Sequence, residues 1–355
     1  MRFIPTFCLR DGLILGKSLY NNSGALLLKK GSEIKGPYIE KILELGFQGV
    51  YIDDDISRDI EIQNIISDEL KLKSVAKIKN MFINIESDKS NDNNIKDIGN
   101  IVENMIDELI LNRNLMVNMI DIKSFDDYTF FHSINVAVLS IIMGISLNLN
   151  KNELYKLGVG ALLHDIGKVF INKELLNKEG KLTEGEFEIM KSHSLKGYKY
   201  IKSSYDIPIK SYIATLDHHE KYDGTGYPNN KVGKNISLFG RIIAIADVYD
   251  ALTSDRPYRK ACLPSDVIEY IMGGPGTHFD FELVNIFIKK VAAYPLGTCV
   301  KLNNGLVGIV VENFSDSCTR PKIRLLNKNR KEYTYINLRD NIANQNLTII
   351  DIVNI

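Results

Sequence analysis

Seven residues between Phe131 and Asp250 could hold metal ions, and they include five of the six histidines in the chain. In chain order they are His132, His164, Asp165, His193, His218, His219 and Asp247. Neutral imidazoles and carboxylates bind borderline divalent ions such as iron, manganese and zinc. A bridging carboxylate holds two such ions roughly 3.5–4 Å apart, a spacing that suits the attacking and leaving oxygens of a phosphate ester. Because seven ligands are too many for one ion, the pattern predicts a two-metal site.

The pair His164-Asp165 follows a buried helical face. Leu154, Leu157 and Ala161 recur at helical spacing, and the same spacing extends to 164 and 165. Polar groups at the inward end of such a face are costly unless they have partners. We therefore expect both side chains to have partners, and a metal ion is the natural one.

The remaining histidines follow apolar helical positions. A capping box that begins at Thr183 predicts a helix on which His193 lies four residues after Ile189. A single inward histidine is more often a hydrogen-bonded core residue than a ligand. The adjacent pair His218-His219 differs, because neighbours on a helix point about 100° apart and cannot both pack on one core stripe. Taken together, the set favours ligation over packing.

Composition excludes several functional classes. At 355 residues and 45% hydrophobic content, the chain is long enough for two or three globular domains. Lys plus Arg and Asp plus Glu each total 44, so no overall basic charge predicts binding to nucleic acid or to an anionic membrane. The four cysteines form no CxxC pair, which is typical of a reduced, cytoplasmic protein.

Targeting and membrane segments are not expected either. The N-terminus reaches Arg10-Asp11 before an apolar signal region forms. The apolar stretch Ile134 to Leu149 is shorter than the roughly 20 residues that span a bilayer, so it predicts a buried helix.

The hydrophobic pattern predicts a mainly α protein with small flanking domains. Residues 1–57 mix short apolar runs with turn residues and predict an N-terminal α+β module. Residues 58–120 predict two connecting helices around the polar stretch 86–94. Residues 121–294 stay helical and carry the candidate ligands, and alternation over 295–355 predicts a C-terminal β domain.

Five segments carry a specific set of motifs. They are His164-Asp165-Ile166-Gly167-Lys168, His218-His219-Glu220, Asp223-Gly224-Thr225-Gly226-Tyr227-Pro228, Arg241 to Asp247, and Ala251 to Arg259. In this order they resemble the HD-GYP family of cyclic di-GMP phosphodiesterases, and the resemblance runs from about Asp126 to Ile288. It implies an all-helical HD-type core, metal ligation by the seven residues above and a bridging role for Asp165. It also implies that the two ions are iron, or manganese, rather than zinc.

Three positions qualify the resemblance. Family members with a third metal carry a glutamate one helical turn before the first histidine, where this chain has Tyr128, so two ions are expected. Lys221 stands where arginine is common, which preserves the charge. His278 lies outside the motif spacing and is expected on the surface or beside the ligands.

The proposed reaction is hydrolysis of cyclic di-GMP to linear pGpG, and onward to GMP, by a water activated between the ions. Asp165 and Lys168 are the expected catalytic residues, with Lys168 holding a phosphate oxygen or protonating the leaving alkoxide. Arg256 and Arg259 offer planar forks to the second phosphate or to a guanine edge. Tyr227, in the Gly226-Tyr227-Pro228 loop, contacts the ligand or a protein partner. The plainer alternatives are that Lys168 is a surface lysine and that Arg256 and Arg259 form helix-terminal ion pairs.

Other functions remain open from the sequence. The same chemistry would hydrolyse a mixed guanine-adenine ring, and base identity depends on contacts that the sequence does not give. A second alternative is a sensor that binds the nucleotide without hydrolysis. A third is a one-ion hydrolase of ordinary nucleotides that uses only His132, His164, Asp165 and Asp247. The oligomeric state also stays open, with a homodimer among the options.

Overall fold

The computed structural model divides the chain into two compact units that each combine segments distant in sequence. A helical unit consists of Ile66–Asn114 and Tyr128–Phe287, and a mixed unit consists of Met1–Ile65, Leu115–Asp127 and Ile288–Ile355. The structure describes residues 1–21, 25–45, 47, 49–87, 93–118, 128–178, 180–203, 206–254, 261–326, 333–340 and 344–354.

The mixed unit contains the strands and one helix, as expected for small flanking modules. The elements are β1 Arg2–Pro5, β2 Ile14–Leu15, β3 Leu19–Tyr20, β4 Leu26–Leu28, α1 Gly36–Glu44, β5 Gly49–Asp53, β6 Cys299–Leu302, β7 Val307–Glu312, β8 Lys322–Leu325, β9 Tyr335–Asn337 and β10 Ile349–Ile352. The sheets are antiparallel, with strand orders β1-β5-β2, β3-β4 and β10-β6-β7-β8-β9.

The two ends of the chain share a core within this unit. Ile60 is buried with Cys299 and Ile309, so residues that follow the N-terminal sheet pack on the C-terminal sheet. Arg324 of β8 is 1% exposed and donates from Nη1 to both carboxylate oxygens of Asp59, at 2.6 and 2.5 Å. The N-terminal and C-terminal segments that the sequence assigns to separate domains therefore form one compact unit.

The helical unit holds the other helices. They are α2 Asp68–Glu86, α3 Asn93–Leu111, α4 Tyr128–Ser146, α5 Lys151–Leu162, α6 Lys173–Leu176, α7 Glu184–Lys202, α8 Ile209–Asp217, α9 Leu238–Thr253, α10 Pro264–Met272 and α11 Phe281–Ile288. Short 3-10 helices lie at Ile166–Phe170 and Gly233–Asn235. The predicted mainly α fold with strands near both ends is confirmed.

Local sequence sets the helix starts. The predicted capping box at α7 is present, with the Thr183 hydroxyl accepting from the Glu186 backbone N–H and the Glu186 carboxylate accepting in return. Helical spacing that begins at Ile62 predicts an earlier start for α2 than the structure shows. The helix begins after Ser67, whose hydroxyl accepts from Leu70 N–H at 3.2 Å, and Ile62 packs on the core of the mixed unit instead.

The two helices predicted as connectors belong to the helical unit. Both α2 and α3 pack on α4, and α3 also packs on α5. The intervening polar stretch lies outside the described residues at 88–92. The predicted domain boundaries therefore remain predictions, whereas the contacts assign these two helices to the ligand-bearing unit.

The core of this unit is α4 packed against α5 and α9. By length and composition alone, Thr129–Ser146 could cross a membrane, but 78% of this stretch is buried inside the structure. A core helix of a folded domain has the same properties, and α9 is likewise apolar on most sides, with Ile242, Ile243 and Ile245 fully buried. Of the candidate ligands, His132 lies on α4 and Asp247 lies on α9.

Candidate metal centre

The seven candidate ligands lie together in the helical unit, in two groups. One group is His132, His164 and Asp247, and the other is Asp165, His193, His218 and His219. Within each group the ligand atoms lie within 4.8 Å of one another. These residues come from α4, the turn after α5, α7, the end of α8, and α9, so five parts of the chain converge on one point.

Asp165 lies between the two groups. Its Oδ2 is 3.3 Å from His164 Nε2 and 3.8 Å from His132 Nε2. Its Oδ1 is 3.4 Å from His193 Nε2 and 4.0 Å from His218 Nε2. One carboxylate oxygen therefore faces each group, which is the geometry that a bridging carboxylate requires.

Asp247 completes the first group. Its Oδ1 lies 3.1 Å from His132 Nε2 and 4.0 Å from His164 Nε2. Its Oδ2 lies 4.0 Å from Nδ1 of His219. The second carboxylate thus also reaches toward both groups.

Hydrogen bonds outside the centre fix the histidine rings. His164, His193 and His218 each place Nδ1 within 2.8 Å of the backbone carbonyl three residues earlier in the chain. His132 Nδ1 instead lies 2.7 Å from Oδ2 of the buried Asp250. Because Nδ1 is engaged by these acceptors, Nε2 is the nitrogen of each ring that faces the centre and is available to a cation.

Two buried atoms in the centre lack partners, and this is the test of whether a cation fits. His164 Nε2 and Asp165 Oδ1 make no hydrogen bond within the described part of the chain. A buried polar atom without a partner costs about 1–3 kcal/mol. Cations placed between these imidazole and carboxylate atoms would satisfy both, so the donor set fits divalent metal ions.

Electrostatics keep Asp165, His218 and His219 in the protonation states that bind metals. Burial lowers the pKa of His132, but the carboxylates beside this ring outweigh burial and raise that pKa to about 9 while no cation is bound. Burial lowers the pKa of His218 well below its usual value, and burial together with His193 lowers the pKa of His219 to about 3. Burial raises the pKa of Asp165, but Lys168 and His164 outweigh it and hold that pKa well below its ordinary range. The imidazoles of 218 and 219 are therefore neutral, and Asp165 is ionised.

Two pairs of ligands lie just beyond helix ends rather than on helices. Helix α5 ends at Leu162, so His164 and Asp165 belong to the turn before the 3-10 helix. Helix α8 ends at Asp217, and His218 is its C-cap. The expectation that the first pair extends a helical face is therefore corrected. The turn lets adjacent side chains face one space, which a helix does not allow.

Two glycines bring the Asp165 turn close to α7. A Cβ at Gly167 would lie 1.9 Å from the His193 carbonyl oxygen and 2.6 Å from the Gly197 nitrogen. Only glycine allows this approach. It places Lys168 at the centre, where its ammonium lies 2.5 Å from Asp165 Oδ2 and its side chain is 30% exposed.

The loop after His219 folds back over the centre. The buried carboxylate of Glu220 accepts from the backbone N–H of Asn229 at 2.7 Å and of Lys231 at 3.0 Å. The Tyr227 N–H donates to the His219 carbonyl, and the two rings lie 4.7 Å apart. Burial and Asp247 raise the pKa of Tyr227, so its hydroxyl stays protonated.

Some predicted site residues are not described. Arg256 and Arg259 lie outside the described residues, as does the side chain of Tyr128. His278 is half-buried, stacks on Phe279 with ring centroids 4.2 Å apart, and belongs to neither ligand group. What the sequence predicts for Arg256, Arg259 and Tyr128 therefore stays a prediction.

Sequence reasoning missed the residues that support the ligands. Asp250 lies three residues after Asp247, on the same side of α9, and this i,i+3 spacing is the signal that could have found it. Glu220 stands inside the His-His-Glu motif, but its contacts are to backbone groups nine and eleven residues later. No local spacing predicts contacts of that kind.

Comparison with known proteins agrees with this geometry. Residues 109–283 match the HD domain family. A cyclic di-GMP phosphodiesterase of Pseudomonas aeruginosa is 35% identical over 225 residues, which cover 63% of this chain and 54% of that protein. The 3'3'-cGAMP-specific phosphodiesterase 1 of Vibrio cholerae is 38% identical over 190 residues, which cover 53% of this chain and 43% of that protein. The chain thus spans about half the length of the curated relatives it matches.

The fold is also similar to a solved structure. An HDG"Y"P protein from Bdellovibrio bacteriovorus superposes with a TM-score of 0.50 at 16% identity, covering 80% of this chain and 97% of that one. At this identity the likeness shows the fold alone. Residues 109–283 therefore form an HD domain, and the motif order of the chain resembles that of the HD-GYP family.

Proposed function

We propose that this protein is a metal-dependent phosphodiesterase that hydrolyses cyclic di-GMP to linear pGpG. The observation that carries the proposal is the position of Asp165, which presents one oxygen to each of two ligand groups. A single ion needs only one ligand group. Two groups can hold a pair of ions, which is the arrangement that contacts both the attacking and the leaving oxygen of a phosphate ester. We further propose two divalent ions per chain, iron or manganese, in keeping with the family resemblance.

The residues divide the chemistry between them. When bound, two divalent ions supply the charge that activates water and stabilises the phosphate in the transition state. His132, His164 and Asp247 would hold one ion, His193, His218 and His219 would hold the other, and Asp165 would bridge them. Burial of these ligands excludes bulk water, which strengthens the electrostatic interactions inside the site.

Lys168 is the proposed residue for the substrate side of the centre. Its ammonium already lies against Asp165 and its side chain is partly open to solvent. From there it can donate to a non-bridging phosphate oxygen or give a proton to the departing 3′-oxygen. Water adds its hydroxyl to phosphorus, the P–O3′ bond breaks, and the proton completes the new 3′-hydroxyl.

A second substrate is a specific alternative. The Vibrio relative is named for 3'3'-cGAMP and the Pseudomonas relative for cyclic di-GMP, at 38% and 35% identity to this chain. Both molecules present the same diester to the metal centre and differ only in a base. We favour cyclic di-GMP because of the motif resemblance, and rates on the two rings decide between them.

The test measures hydrolysis of both rings by protein purified without oxygen and loaded with iron or manganese. We expect wild-type protein to contain close to two ions per chain and to release pGpG. His164→Ala and Asp165→Ala should lose at least a hundredfold in rate, because each removes a ligand from the centre. Elemental analysis and separation of the nucleotide products are the measurements, and Ile189→Ala, an exposed position, is the control.

Different outcomes contradict different parts of the proposal. Wild-type turnover no faster than that of Asp165→Ala would exclude the proposed phosphodiesterase activity. Tight binding of cyclic di-GMP at full metal content without product would identify a sensor. A metal content near one per chain, with hydrolysis of ordinary nucleotides, would favour the one-ion hydrolase. Faster turnover of 3'3'-cGAMP than of cyclic di-GMP would change the proposed substrate but not the proposed mechanism.

A further inference from the structure

We infer that Phe187 and Tyr227 form a stacking platform for a purine base of the substrate, beside the metal centre. The inference rests on the proposed function and deepens it, because it assigns the protein surface that contacts the base rather than the phosphate. Three observations support it: a row of aromatic rings, the rigid placement of both side chains, and a cation that faces both of them.

The rings form a row that leads outward from the ligands. Tyr227 lies 4.7 Å from the ring of His219, with an interplanar angle of 30°. Phe187 lies 6.4 Å beyond Tyr227 with its ring nearly perpendicular to the tyrosine ring, at 81°, and is 47% exposed, so Phe187 offers the face for stacking and Tyr227 lines its inner side. A single exposed apolar side chain needs no explanation. This one, however, continues a set of rings that begins at a proposed metal ligand.

Polar contacts fix the backbone segments that carry the two rings. Phe187 lies in the first turn of α7, which the capping box at Thr183 closes. Lys178 donates to both oxygens of Glu186 in that turn, at 2.7 Å each. Tyr227 is held by the loop that the Glu220 carboxylate organises. A platform positioned before the ligand arrives loses little entropy on binding.

A cation faces both rings. Lys191 Nζ lies 5.3 Å from the centroid of Phe187 and 5.8 Å from that of Tyr227. The same ammonium lies 2.5 Å from Glu188 Oε1, so part of its charge is neutralised. Its remaining donors lie beside the platform and are suited to N7, the acceptor that guanine and adenine share.

The chemistry of the substrate class fits this surface. A phosphodiester that reaches the metal centre carries a ribose and base next to the scissile phosphate, so one base must lie close to the ligands. Aromatic side chains stack on any base, since every base has a π-face. The platform should therefore accept guanine and adenine alike, and base discrimination would come from other contacts.

The test compares Phe187→Ala and Phe187→Tyr with wild type on cyclic di-GMP and on 3'3'-cGAMP. We expect Phe187→Ala to raise KM about tenfold on both rings with kcat little changed, and Phe187→Tyr to restore KM. Ethyl 4-nitrophenyl phosphate, which has no purine, should be hydrolysed equally by all three. Ile189→Ala on the same helix is 51% exposed and should leave every value unchanged.

A binding measurement gives a readout that does not need turnover. A cyclic dinucleotide with 2-aminopurine in place of one guanine should lose fluorescence on binding wild type, because stacking quenches it, and should lose much less on binding Phe187→Ala. Equal quenching and equal KM in the two proteins would overturn the stacking inference while leaving the phosphodiesterase in place. Failure of wild type to bind or hydrolyse either ring would overturn both.

Discussion

At the scale of single residues, a carboxylate outside the centre controls one of the ligands. Asp250 is fully buried, and its Oδ2 lies 2.7 Å from His132 Nδ1 while its Oδ1 accepts from Asn135 at 2.7 Å. This arrangement fixes the tautomer and the orientation of the ring, and it makes Nε2 a better donor to a cation. Asp250 is therefore a positioning residue for the proposed centre.

Asp250→Asn should weaken metal binding about 10–100-fold, because the amide is a poorer acceptor for Nδ1–H than the carboxylate. Titration of metal-free protein with manganese measures the affinity directly. Hydrolysis at saturating manganese should recover more fully than hydrolysis at limiting manganese, which separates positioning from general unfolding. The control is Asp266→Asn, on α10. Equal manganese affinity in wild type and Asp250→Asn would contradict the assigned role.

At the scale of elements, the approach of the 3-10 helix to α7 sets the shape of the centre. The backbone of Gly167 meets the backbone of His193 and Gly197 with no room for a Cβ. Since Asp165 precedes this contact and His193 is part of it, the contact fixes how far one ligand lies from the other. Elements packed this closely cannot accommodate an added methyl group unless the backbone moves.

Gly167→Ala should lower the free energy of unfolding by about 3 kcal/mol and reduce hydrolysis strongly, because the added methyl must push the two elements apart. Gly185 offers a matched control on α7, where a Cβ meets nothing within 4 Å. Gly185→Ala should be neutral or stabilise by about 0.5–1 kcal/mol, since alanine loses less backbone entropy in a helix. Urea denaturation of both variants measures the difference. Similar free energies of unfolding for Gly167→Ala and Gly185→Ala would contradict the close backbone contact at Gly167.

At the scale of the whole molecule, the mixed unit joins residues from both ends of the chain. The guanidinium of Arg324 is buried, whereas its partner Asp59 is 53% exposed on the side-chain scale. Arg324 also donates to the Ile56 carbonyl and lies 4.4 Å over the ring of Tyr333. A buried charge that loses its carboxylate is left incompletely paired.

Asp59→Ala should therefore destabilise the mixed unit by about 2 kcal/mol, which is more than the loss of an exposed ion pair. Glu44→Ala removes an exposed partner of Lys41 in the same unit and should cost little. Arg324→Met combined with Asp59→Ala should restore much of the loss, because no buried charge remains. Thermal unfolding of wild type, Asp59→Ala, Arg324→Met, the double variant and Glu44→Ala checks this, and additive effects of the Asp59 and Arg324 substitutions would argue against the pairing.

The sequence by itself determined the candidate ligand set and the helical core. Ligand chemistry is a property of residue type, so seven histidines and aspartates in one region could be identified without coordinates, and all seven lie together. Helical periodicity is local, so the buried face of α4 and the start of α7 were also predictable. The resemblance added an HD-type core, and residues 109–283 match the HD domain family.

Only the tertiary structure decided how the ligands divide into groups and what supports them. Helix ends set the direction of His218 and Asp165, and these ends depend on packing between distant segments. The bonds from Asp250 to His132 and from Glu220 to its loop join residues that no short-range pattern connects. The shared core of the two chain ends is a contact of the same kind. Such contacts are set by the packing of whole elements, which residue type and spacing alone do not specify.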